Sequence, residues 1–376
     1  MNFDKEQYAF LQTHRAAAQA GLLTWFAQHA RDLPWRRDRT PYRVWVAEVM
    51  LQQTQVEKVR DYYTRFIARF PTVAALAEAP LEDVLKLWEG LGYYSRARAL
   101  HRAAQLVVAE HDGELPADVH ALRRLPGIGP YTAGAIASIA FNIPAPAVDG
   151  NVRRVMARVL AWPVPDPAGL EAAVRAWLPA DAPGTFSEAL MELGATLCRP
   201  KSPQCLLCPW RDLCSACALG QPEAFPLPKP RKPVPHYDVV AAVTRRDDGR
   251  VLVARRRQED MLGGLWEFPG GKCEDGETLP AALRREMREE LGVEVEVKPG
   301  EPLTVVKHAY THFRITLHAF DCHLVEDSPP PQCIECDDFR WATPEEITAL
   351  PMSVADRKIA ERVAEAHALK AQSSTG

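Results

Sequence analysis

Long uninterrupted apolar runs are missing from this 376-residue chain. The longest stretch without charge, residues 125–148, carries four prolines and three glycines. A bilayer span needs about 20 predominantly apolar residues in one helix, so no membrane crossing is expected. The N-terminus has Asp4, Lys5 and Glu6 where a signal peptide needs apolar residues, and export is not expected. A cytoplasmic place follows, nucleoid-associated if the source is bacterial. No internal repeat is visible, which removes solenoids and propellers. Charge of one sign is also lacking, since the net is −4 with 47% apolar and 25% charged residues, an ordinary globular balance. Taken whole, that balance argues against a coat of positive charge for nucleic acid. It averages unlike halves, however: residues 1–220 carry a net of +2 and the remainder −6. Nine cysteines without an export signal point to reduced thiols or metal ligands rather than disulfides.

A chain of this length exceeds one ordinary core, so two domains are expected. Residues 1–217 read as nearly all helix, with apolar residues at helical spacing over 44–66, 95–110, 151–160 and 183–197. Residues 222–235 hold six prolines in 14 positions, a stiff spacer that places a linker at 218–236. From 237 to 376 the pattern turns to α+β. Residues 238–246 and 250–257 flank an Asp248-Gly249 turn and read as a hairpin, 313–320 alternate, and 279–291 form a helix.

Cys198, Cys205, Cys208 and Cys214 fall as C-x6-C-x2-C-x5-C, tight enough to wrap one small inorganic centre. Four thiolates suit a [4Fe–4S] cluster or zinc, and spacing alone leaves both open. Arg199, Lys201 and Arg211 around this loop could meet phosphate or simply be solvated. In the LPGIGPYTAGAI segment, Gly127 and Gly129 permit a tight turn and a helix begins near Pro130. Turn N–H groups and a helix N-terminus can hold a phosphate without reading sequence. Glu48 is the only charged residue between Val44 and Val56. Desolvation on an apolar helix raises a carboxylate's pKa and suits it to donate a proton, although a surface Glu would look the same. Asp149 precedes Gly150 and a helix, so its plain role is an N-cap.

In combination these motifs resemble the endonuclease III superfamily of helix–hairpin–helix DNA glycosylases. WVAEVMLQQTQV with AVDGNV looks like the adenine-specific MutY branch. The resemblance spans about residues 24–359. It implies an all-α glycosylase domain with a [4Fe–4S] loop on the four cysteines, followed by a Nudix-like α+β domain. It implies double-stranded DNA containing adenine opposite 8-oxoguanine or G as partner, and a monomer. Under it Glu48 protonates adenine N7 and later activates water, and Asp149 stabilises the oxocarbenium-like sugar. The chemistry has its own logic: adenine leaves poorly as an anion, and the sugar cation wants a negative neighbour. The base must first leave the stack. Tyr131 stands where bifunctional members carry a Schiff-base lysine, which implies base excision without an efficient lyase step. The resemblance also implies that Tyr131 and Asn151 help arrange the two carboxylates. Gln52, Gln53 and Tyr93 match groups that wedge into or support the opened duplex, and Arg31 and Glu188 resemble adenine-pocket residues, though either could be a helix-surface charge.

Residues 271–293 fit the full Nudix box, G-x5-E-x7-R-E-U-x-E-E-x-G-U. Glu286, Glu289 and Glu290 are expected on one helix face as a hard oxygen site for Mg²⁺ or Mn²⁺. The MutY resemblance makes this domain a reader of 8-oxoguanine, with Tyr310-Thr311-His312 matching the loop that contacts the lesion strand and residues 350–359 matching a terminal helix. Thr311 and His312 are its candidate contacts. Two readings of the intact box stand: an inherited silent scaffold, or a nucleoside diphosphate hydrolase. Cys333-x2-Cys336 near Cys322 and His323 suggests zinc only weakly, because neighbours on a strand face opposite ways. Cys217, Cys273, Cys322, Cys333 and Cys336 remain unassigned. Three functions are compatible with the whole: an adenine glycosylase, a pyrophosphohydrolase on a DNA-binding anchor, and a non-catalytic lesion binder.

Overall fold

The computed structural model describes residues 3–228 and 233–373; the centre of the proline run lies outside them. The chain divides into two compact units, Met1–Glu78 with Ala99–Pro230, and Ala79–Arg98 with Arg231–Gly376. The second unit therefore takes in a stretch, 79–98, that a division at the proline run assigns to the first. No helix among the described residues is long and apolar enough to cross a membrane.

The first unit is helical. Its core gathers Leu22, Trp25, Val155, Trp162, Trp177, Phe186 and Trp210 from helices Lys5–His29, Gly150–Val159, Pro167–Trp177 and Pro183–Thr196 and the loop behind them. Asp4, Asp118, Asp149 and Asp166 cap helix N-termini through their side chains, each satisfying a backbone N–H that the helix cannot. Two close approaches set the packing around the Pro130–Phe141 helix. A Cβ on Gly134 would lie 2.1 Å from the Pro146 carbonyl oxygen, and one on Gly184 would lie 2.5 Å from that of Ser138. Only glycine admits backbone at these distances.

The helical periodicity over 44–66 is broken in the structure. One helix runs Pro41–Leu51 and the next Val56–Arg69, with Gln53 in the left-handed region at φ 56°. Glutamine is a good helix former, so nothing local announces the break. The first helix is buried nearly all round, including Val46, Ala47 and Glu48, while the second is amphipathic, and tertiary packing separates the two.

Among its described residues the second unit builds seven strands: β1 His236–Thr244, β2 Val251–Arg256, β3 Trp266–Glu267, β4 Val295–Val297, β5 Thr304–Ala309, β6 Arg314–Leu324 and β7 Cys336–Ala342. One sheet has β6 at its centre, parallel to β1 and antiparallel to β4 and β5. The other runs β3-β2-β7. The expected β1–β2 hairpin is thus only a turn, held by the Arg245–Val251 bridge and the Arg246 N–H to Arg250 carbonyl bond of 2.9 Å. Alternation locates a strand, but its partner is chosen by the sheet. Helix Leu279–Leu291 ends at Gly292 in the left-handed region, as a glycine C-cap should. It buries Leu283, Met287 and Leu291 with Val240 and Phe320, while a second core forms around Trp266, Leu317 and Ile359 of helix Val354–Ser373. Residues 79–98 join this unit through Lys86 Nζ, which donates to the Thr348 and Leu350 carbonyls at 2.9 and 3.0 Å. Glu89 completes the join by pairing with Arg357.

Candidate active site

The site begins with Glu48. The Pro41–Leu51 helix buries it to 5% exposure, and burial pushes its pKa up to about 7. Tyr131, on the first turn of the Pro130–Phe141 helix, donates its hydroxyl to Glu48 Oε2, which pulls the value down; Asp149 and Glu188 push it up and Arg36 pulls it down. Tyr131 is available because the Gly127–Gly129 turn starts that helix beside Glu48. Gly127 sits at φ 77°, and Pro130 follows the Gly129 cap at the first helical position.

Asp149 is an N-cap and a pocket residue at once. Its Oδ1 accepts from Val152 N at 2.7 Å, and its Oδ2 from Asn151 Nδ2 at 2.9 Å. Burial raises its pKa, opposed by those bonds and by Arg154. Asn151 is held in turn by Arg154, which donates to Asn151 Oδ1 at 2.8 Å and to the Gly194 and Cys198 carbonyls at 2.7 Å each.

These groups line one cavity of about 930 Å³, and with them Arg31, Gln52, Gln53, Gly127, Gly129 and Glu188. Gln52 donates to Thr132 at 3.1 Å. Arg31 has its guanidinium committed to Glu192, at 2.7 and 2.8 Å. Glu188, whose pKa burial raises, pairs with Arg39 at 2.5 Å and lies 3.5 Å from Arg36 Nε. Trp35, Arg36, Met191 and Glu192 also line this cavity and were not singled out from the sequence. Glu192 carried a usable signal, being a charge within the apolar ALMELGA run, as Glu48 is within its own.

Cys198, Cys205, Cys208 and Cys214 share a second pocket with Cys217 and Arg158. Burial pushes Cys208 up to about 12 and Cys214 to about 11, and the neighbouring thiols add to both. Arg158, 2% exposed, braces the loop: it donates to Cys198 Sγ at 3.3 Å and to the carbonyls of Arg199, Pro200 and Phe225 at 2.7–3.1 Å. Among the described residues no three His, Cys, Asp or Glu side chains stand close enough to hold one metal ion.

In the second unit Tyr93, at φ 51°, is hydrogen-bonded through its hydroxyl to Thr311 Oγ1, and Arg96 lies 5.4 Å above its ring. Thr311 and His312 are exposed in the turn between β5 and β6. The Nudix carboxylates share one helix face beside Gly270 and Gly271. Arg285 donates to Glu277, Glu286 and Glu289 at 2.9–3.1 Å, whereas Glu290 turns to the Gly270 N–H at 3.0 Å. One guanidinium offsets a single charge of this face, which stays acidic, and Glu286, Glu289 and Glu290 are the residues that would hold Mg²⁺ or Mn²⁺.

Two family models match the chain: the HhH-GPD superfamily of base excision DNA repair proteins over residues 46–180, and the NUDIX domain over 240–362. The adenine DNA glycosylase of Rattus norvegicus is 37% identical over 410 residues, covering 93% of this chain and 78% of that protein. The Homo sapiens adenine DNA glycosylase is 36% identical, covering 91% and 73%. That of Mycolicibacterium smegmatis is 45% identical over 51% of this chain and 68% of its own length. A thermostable thymine-DNA glycosylase structure aligns with a TM-score of 0.52 at 27% identity, over 55% of this chain and 98% of that one.

Proposed function

The chain belongs to the adenine DNA glycosylase family of base-excision repair enzymes, and from that premise we propose that it removes adenine mispaired with 8-oxoguanine or G, using Glu48 and Asp149, and leaves an abasic site without cutting the strand. The observation that carries the reading is the pairing of Glu48 and Asp149 in one cavity large enough for a nucleoside. A carboxyl titrating near 7 is half protonated at neutral pH, as a proton donor to a leaving base requires. Asp149 is held by two hydrogen bonds to its carboxylate, and that charge faces the place where the sugar cation develops. Tyr131 supplies a hydroxyl and no amine, which supports base release without Schiff-base chemistry.

The four cysteines line one pocket and fit a thiolate-bound metal centre, and membership of the glycosylase family favours [4Fe–4S] over zinc there. When bound, a cluster would cross-link the loop to itself through Cys198, Cys205, Cys208 and Cys214, and Arg158 fastens that loop to the Gly150–Val159 helix. In the second unit Thr311 and His312 are exposed groups available to the lesion strand, with Tyr93 tied to Thr311. The intact Nudix box is read as an inherited scaffold whose own active site is silent.

The test is single-turnover excision from duplexes differing only in the base opposite adenine, with and without Glu48→Gln. Release confined to 8-oxoguanine and G partners, abolished by the substitution while binding persists, is expected. Base release by the variant refutes the assignment of Glu48.

A further inference from the structure

Glu192 is 1% exposed on the Pro183–Thr196 helix, one turn beyond Glu188. Its carboxylate accepts Arg31 Nε at 2.7 Å, the Arg31 terminal nitrogen at 2.8 Å, the Arg31 backbone N–H at 3.2 Å and Arg36 at 2.9 Å. Arg36 also donates to the Arg31 carbonyl at 3.1 Å, which closes the group on itself. Burial works against ionisation here, but the arginine bonds outweigh it and hold Glu192 below the ordinary carboxylate range. It is thus a fixed negative charge. Arg36, steered by it, lies next to Glu188 and acts electrostatically on Glu48.

We propose that Glu192 is a positioning residue for the base pocket, fixing Arg31 and Arg36 as one wall and so setting the shape and charge that face the flipped base and Glu48. This rests on the reading of Glu48 as the proton donor. Glu192 itself passes no proton. The bidentate geometry matters because a guanidinium held at two points cannot swing, and misplacement by about 1 Å in a reacting pocket costs on the order of a hundredfold in rate.

Glu192→Gln keeps the shape and removes the charge. Single-turnover excision of adenine opposite 8-oxoguanine is expected to slow by about tenfold to a hundredfold, with duplex affinity essentially unchanged. The limb where the rate falls with rising pH should move to lower pH, because Arg36, no longer neutralised, favours ionised Glu48. Glu192→Asp, which restores the charge on a shorter stem, should recover part of the rate. A wild-type rate with an unmoved limb overturns the inference, as does a rate loss matched by equal losses of affinity and thermal stability. Should Glu192→Gln not fold, Arg31→Gln cuts the two side-chain bonds of Arg31 to Glu192 from their part-exposed end; it should fold and slow excision, and a wild-type rate there is equally fatal. Glu48→Gln, run alongside, separates the two ideas. If it still releases adenine, the reading of the site fails, whereas an inert Glu48→Gln with a normal Glu192→Gln removes the present inference alone.

Discussion

Tyr131 donates its hydroxyl to Glu48, a carboxylate 5% exposed that titrates near 7. The bond lowers the Glu48 pKa against the larger upward push of burial. Tyr131→Phe removes the donor, so the Glu48 pKa should rise and the falling limb of the excision rate should shift to higher pH. Single-turnover rates from pH 5 to 9 read this directly. A limb that stays in place or moves down would show that the bond does not tune Glu48.

Glu48 also makes stability depend on pH. Its folded pKa lies above the unfolded value of 4.5, so the native state binds the extra proton. Stability is then fully present below about 4.5 and declines as pH rises through 7, by up to about 3 kcal/mol. Glu48→Gln should therefore unfold at a higher temperature than the parent at pH 8, with the difference shrinking at pH 5. Equal melting temperatures at pH 8 would contradict the buried charge.

Arg158 satisfies three carbonyls and a cysteine sulfur from a fully buried position. Arg158→Met leaves those acceptors bare. A loss of roughly 3 kcal/mol is expected from urea unfolding of the first unit, together with loss of the brown colour that the proposed iron–sulfur centre would confer. Retention of both in full would mean that the loop is held by other contacts.

Gly134→Ala would place a methyl 2.1 Å from the Pro146 carbonyl oxygen, and backbone cannot yield as a side chain can. A cost of about 2–3 kcal/mol is expected, with the Pro130–Phe141 helix displaced and excision slowed because Tyr131 rides on it. A chemical-denaturation midpoint equal to that of the parent rules out the close contact.

On the scaffold reading, the full chain with Mg²⁺ should turn over no nucleoside triphosphate, 8-oxo-dGTP included. Metal-dependent release of pyrophosphate or phosphate at stoichiometric enzyme would overturn the scaffold reading. Arg285→Ala should destabilise the second unit, since three carboxylates would be left facing each other.

Much of the fold could be read along the chain wherever a local rule decides it. The Leu279–Leu291 helix, the Gly127–Gly129 turn and the four-cysteine loop announce themselves through period, backbone freedom and spacing. Two residues of the cavity were legible in the same way: Glu48 as a lone charge on an apolar helix, Asp149 as a cap. What escaped was pairing. No local pattern joins Arg31 to Glu192, separated by 161 positions, or tells β1 to take β6 rather than β2. Nor does it show that 79–98 groups with the C-terminal strands.

Sequence alone, then, determined which residue types were available and at what local spacing, because periodicity, capping and turn chemistry act within a few positions. Tertiary structure decided their partners. It gave Arg285 to the Nudix carboxylates, broke the helix at Gln53 and raised Glu48 toward neutrality, because burial and long-range contact exist only once the chain has closed on itself.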